Sequence, residues 1–85
     1  MQNIWAKILK DKKIRKETTL NIEVFDFNNI YEYLKEICYN LKIETPMLLN
    51  KHQNQLEEYN MTKFTSDDFI DSIDFDSLIL EYYED

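Results

Sequence analysis

Glycine is absent from this chain, and proline, cysteine, histidine and tryptophan each occur once. Without glycine, no glycine-rich loop cradles a phosphate and no dinucleotide-binding fingerprint forms. One histidine, His52, and one cysteine, Cys38, fall short of the roughly three or four nitrogen and sulfur ligands of a zinc site. A lone cysteine makes no internal disulfide and suits a reducing cytosol, so a cytoplasmic location is expected. Hydrophobic runs stop after three residues, as in Met47–Leu49 and Leu78–Leu80, against the ~20 that a membrane-spanning helix needs. The opening MQNIWAKILK has no apolar stretch of signal-peptide length. No membrane association is therefore expected. With no linker-like composition and no internal repeat, residues 1–85 read as one small globular domain.

Charge is abundant and unevenly placed. The net charge is −7, yet residues 1–20 hold six bases against two acids. Residues 57–85 hold ten acids and one base. A surface this acidic repels nucleic-acid phosphates, so direct DNA or RNA binding is not expected.

Alternation dominates the N-terminal third. Ile4, Ala6 and Ile8 oppose Trp5, Lys7 and Leu9, and Ile14 to Val24 alternate in the same way. In the second run Ile14, Lys16, Thr18, Leu20, Ile22 and Val24 share one face; Arg15, Glu17, Thr19, Asn21 and Glu23 share the other. The short Asp11-Lys12-Lys13 link predicts a hairpin. With no glycine available, either the turn is longer or Asp11 or Lys12 takes a left-handed conformation. Ile30, Leu34, Ile37, Cys38 and Leu41 recur at helical spacing, which predicts a helix over 29–41, with Asn29, Asn28 and Asp26 as rival caps. A second helix is expected over 51–59 with Asn50 and Gln53 as its capping box, or from Pro46 with Thr45 as cap. Pro46–Leu49 reads as a possible short extended segment, and Ser77 to Tyr83 as a final strand. The expected fold is α+β: an N-terminal β-hairpin plus a C-terminal strand in one small sheet, packed with two helices.

Three stretches, IWAKILKDKKIRK, TPMLLNKH and TKFTSDDFIDSIDFDSLILE, resemble a family of short, uncharacterised bacterial proteins. The resemblance covers most of the chain and implies one compact domain. It supplies no activity, cofactor, partner or site residue. Such proteins tend to have a glycine in the hairpin turn where this chain has Lys12.

Catalytic apparatus is not legible. Cys38 falls on the apolar face of the first helix, where a thiol is usually buried and inert. His52 lies in a predicted first helical turn, which favours a surface or capping role. Glu57, Glu58 and the aspartates would do acid–base work only if the fold brought them into a cleft. No catalytic residue, metal or cofactor is expected.

Two features remain as candidate contact surfaces. The segment TSDDFIDSIDFD carries Asp67, Asp68, Asp71, Asp74 and Asp76 without the spacing or the glycine of a calcium loop. It reads mainly as a connection pinned by Phe64, Phe69, Ile73 and Phe75, with Thr65 or Ser66 capping a short turn. Its aspartates are also candidates for steering a basic partner. The second feature follows from alternation: if Ile4, Ala6, Ile8, Leu20, Ile22, Leu78 and Leu80 face the first helix, Trp5, Leu9, Ile79 and Tyr83 face away. Such a cluster must be covered by the second helix or used by a partner. The leading expectation is a non-catalytic module that binds another protein, or itself as a homodimer. The alternative is an acidic mimic of nucleic acid that inhibits a basic nuclease or DNA-binding protein.

Overall fold

The computed structural model describes residues 1–85. The elements run β1 (Gln2–Lys10), β2 (Lys13–Ile22), α1 (Ile30–Leu41), α2 (Asn50–Tyr59), β3 (Met61–Phe64) and β4 (Ser77–Glu84). Short 3-10 turns occupy Phe27–Asn29 and Ser66–Asp68. The four strands form one antiparallel sheet in the order β2-β1-β4-β3. This is the α+β arrangement expected, with one more strand than the sequence patterns disclosed.

The hairpin closes through two residues. Asp11 and Lys12 both take left-handed φ, at 54° and 65°. That pair matches the twist of the flanking strands, although each non-glycine residue there bears a steric cost of roughly 1–2 kcal/mol. One carboxylate holds the turn and one guanidinium lies near it. The Asp11 amide donates to the Asp76 carboxylate at 2.9 Å, and Arg15 lies 3.9 Å from the Asp11 carboxylate.

Just beyond the turn the register slips. Ile8 pairs with Lys16, but Leu9 pairs with Ile14, so Arg15 is the extra residue of a β-bulge. Unbroken alternation puts Ile14 inside and Arg15 outside. The bulge reverses this: Ile14 joins Leu9 on the outer face and is exposed, while Arg15 moves beside Lys16. Strand β2 stops at Ile22, so Val24 lies outside it and is also exposed.

The inner sheet face carries the core. Ile4, Ala6, Ile8, Ile22, Phe64, Leu78 and Leu80 pack with Ile30, Leu34, Ile37, Cys38 and Leu41 of α1 in one buried cluster. Asp26 caps the turn that leads into α1, accepting from the Asn28 amide at 2.9 Å. Lys42, at φ 60°, closes α1 without the glycine usual at that position.

Helix α2 starts at Asn50, and the residue that reaches back to its N-terminus is His52, not Gln53. The stretch Pro46–Leu49 forms no strand; the Met47 amide instead donates to the Asp68 carbonyl at 2.8 Å. The fourth strand is β3, which Asn60, at φ 58°, turns directly out of α2. Leu56 of α2 belongs to the core cluster, and His52 stacks on Phe64 with ring centroids 4.1 Å apart. Both helices therefore cover the same sheet face.

Replacing Lys12 by glycine should raise stability by roughly 0.5–1 kcal/mol, because relief of the left-handed backbone outweighs the added freedom of the unfolded chain. Urea unfolding checks this; an unchanged or lower midpoint would show that the turn is not strained.

Candidate protein-binding face

Register assigns the outer face residue by residue. Along β1 it carries Asn3, Trp5, Lys7 and Leu9. Opposite them on β4 stand Tyr83, Glu81, Ile79 and Ser77, and on β2 Asn21, Thr19, Glu17 and Ile14. Met61 and Lys63 extend the face along β3. The four apolar residues expected to share a face, Trp5, Leu9, Ile79 and Tyr83, do share it. No helix lies over them: Trp5, Leu9 and Ile79 are half-buried, and Tyr83, Met61 and Ile14 are exposed.

Polar groups organise the centre of this face. The Trp5 indole donates to Glu17 Oε1 at 3.0 Å. The Lys7 ammonium sits 3.9 Å from the centroid of the Trp5 ring and donates to Glu81 Oε1 at 3.0 Å. A lysine stem laid on an indole shields part of it and orients the rest. Trp5 is thus a held ring with both neighbouring carboxylates engaged, and not a side chain free to rotate.

The five aspartates do not act as a set. Asp67, Asp71, Asp74 and Asp76 are exposed, but Asp68 is 2% exposed. Its place among the partner-steering residues is therefore corrected. The Asp68 carboxylate turns inward to accept the Thr65 amide at 2.9 Å and to meet His52 Nε2 at 3.4 Å. Asp76 has a structural duty as well: its amide donates to the Leu9 carbonyl at 2.8 Å while its carboxylate holds the hairpin turn. That places Asp76 at the rim of the outer face, next to Leu9. Phe69 is buried, and Ile73 and Phe75 pack against the core, as the pinned connection requires.

His52 is fully buried, contrary to a surface position, but it does cap its helix. Nδ1 accepts the Leu49 amide at 3.0 Å, so the ring proton of the neutral form sits on Nε2 and points to Asp68. Burial lowers the His52 pKa, only partly offset by the Asp68 charge. Burial by itself would raise Asp68, but the Thr65 amide and the charges of His52 and Lys51 outweigh it and hold the carboxyl below its usual value. We read the pair as a neutral imidazole donating to a carboxylate. The signal for it was the histidine three residues past the cap position, Leu49; nothing local marked Asp68 as its partner.

Cys38 is buried, and burial pushes its thiol to about 11 against a hydrogen bond with Thr45 that lowers it. At neutral pH it stays a thiol and is a poor nucleophile. No group of three or more His, Cys, Asp or Glu side chains is placed to hold a metal ion. No helix is long and apolar enough to cross a membrane.

No family model, curated protein or solved structure matches this chain.

Acidification tests the buried pair. A histidine whose folded pKa is depressed leaves the unfolded state with more bound protons just below pH 6.5, so stability falls as pH drops through that value. Asp68 adds a further loss below its ordinary 3.8. His52→Gln, which keeps an acceptor at this cap position, should flatten the dependence between about pH 7 and pH 5. An unchanged slope in urea titrations would remove His52 from the account.

Proposed function

We propose that this chain is a non-catalytic module that binds another protein through the outer sheet face. The carrying observation is that both helices pack on the inner face, which leaves Trp5, Leu9, Ile79 and Tyr83 without an intramolecular cover. Aromatic residues of this kind are frequent anchors of interfaces. The occupant is a partner with a basic rim. Glu17 and Glu81 flank Trp5, Asp76 borders Leu9, and the chain carries −7 overall. Trp5, Leu9, Ile79 and Tyr83 supply the apolar contact, and Asp67, Asp71, Asp74 and Asp76 steer the approach.

Replacing Trp5 by lysine places a cation opposite Glu81 and beside Glu17, which spares the fold while opposing a basic partner. A glutamate there would crowd three carboxylates. Wild-type and Trp5→Lys proteins, matched by circular dichroism, are used to capture partners at low and at high salt. Binding by the variant should weaken at least tenfold, as expected for an aromatic anchor, and wild-type binding should survive high salt. Equal binding by the variant would overturn the apolar face. Wild-type binding that disappears at high salt would transfer the role to the acidic surface, as a nucleic-acid mimic requires. A wild-type dimer that Trp5→Lys dissociates in sedimentation would assign the face to a second copy of the chain.

A further inference from the structure

A second surface lies away from the outer face, at the hairpin end of the inner face. Here Lys10, Arg15 and Lys16 wall a cleft of about 190 Å³. Ile8, Ile43 and Phe75 form its apolar lining, and Asp74 is its single acid.

Three of the ten bases in a chain of net charge −7 line this one concavity. They are also poorly neutralised. Lys10 makes no ion pair within 4.0 Å. Lys16 donates its ammonium to the Leu41 carbonyl at 3.1 Å, which leaves its charge uncancelled. Arg15 meets only Asp11, at 3.9 Å, beyond hydrogen-bond reach.

The backbone builds this arrangement. In regular alternation Arg15 would point to the outer face, away from Lys16. The β-bulge opposite Ile8 and Leu9 brings the two cations onto one cleft at the expense of regular pairing. The pocket thus sets three apolar residues beside three bases and one acid, a lining that suits a small anion carrying an apolar group.

We infer that this cleft binds a small organic phosphate monoester. The guanidinium of Arg15 presents a planar fork that suits two phosphate oxygens, while Lys10 and Lys16 add point charges. Three bases and one acid leave two positive charges, which match a phosphate dianion better than a carboxylate. Ile8, Ile43 and Phe75 take the organic group. The site uses none of the residues of the outer sheet face; it shares only Asp74 with the protein-binding reading, and Arg15→Gln tests the cleft without touching that residue.

Phenyl phosphate, inorganic phosphate and benzoate, titrated at constant ionic strength and slightly alkaline pH into 15N-labelled protein, test the inference. Phenyl phosphate should give saturable amide shifts centred on Lys10, Arg15, Lys16 and Phe75. Inorganic phosphate should bind more weakly, and benzoate more weakly than phenyl phosphate by roughly tenfold, for want of the second charge and the third oxygen. Arg15→Gln should weaken phenyl phosphate roughly tenfold or more. Asp74→Asn should tighten it severalfold, a gain that a damaged fold does not produce. Absence of saturable shifts at millimolar probe, equal binding of benzoate, or affinities unmoved in both variants would each overturn it.

Discussion

Antiparallel pairing of β1 with β4 is the constraint on which the rest of this structure depends. It sets Gln2 opposite Glu84 and Leu9 opposite Ser77, so the two longest-separated strands form the middle of the sheet. Each then needs a further neighbour on its free side, and β2 and β3 supply it. Ile4, Ala6, Ile8, Leu78 and Leu80 are consequently paired on both sides, and all are almost completely buried. The same pairing aligns the outward side chains into a single surface. The acidic segment follows from it as well: β3 ends at Phe64, opposite Leu78, so residues 65–76 loop out and return at the same end of the sheet, where Asp76 fastens to Leu9 and Asp11.

Charge in this molecule is divided by task. Asp68 and His52 sit inside and join α2 to the turn after β3, with Met47 bonded to the Asp68 carbonyl as a third strut. Lys7, Glu17 and Glu81 sit half outside and fix the posture of Trp5. Lys10, Arg15 and Lys16 gather at one cleft. In net charge these groups are indistinguishable from the solvated acids around them; burial and geometry separate them.

Much of the fold was legible because one-sided burial writes itself into spacing. Helix α1 announced itself through Ile30, Leu34, Ile37, Cys38 and Leu41, and all five are buried. Parity alone placed Trp5, Leu9, Ile79 and Tyr83 together, since each lies on a strand without interruption at that point. Legibility failed where an outcome depends on a second segment. Strand β3 has four residues, too few to show a period, and exists because β4 offers an open edge. The bulge at Arg15 is a property of the β1–β2 register, which neither strand encodes by itself. His52 and Asp68 are buried by each other and by Phe64, residues well separated from His52 along the chain. Asp68 was indistinguishable from its four neighbours in composition, and the Thr65 amide and the His52 ring turn it inward.

The central position of β4 has a temporal side. A hairpin of β1 and β2 is local and forms on a microsecond scale, but the free edge of β1 has no partner until a strand some seventy residues later arrives beside it. Contacts of such sequence separation slow the search for the native state. During synthesis the hairpin and α1 emerge first and wait, so the edge of β1 that later receives β4 stands open in the nascent chain. Lys7 lies at the middle of that edge and Lys10 at its end. Charges of this kind discourage pairing with a stranger's strand, and they guard the seat until its proper occupant is made.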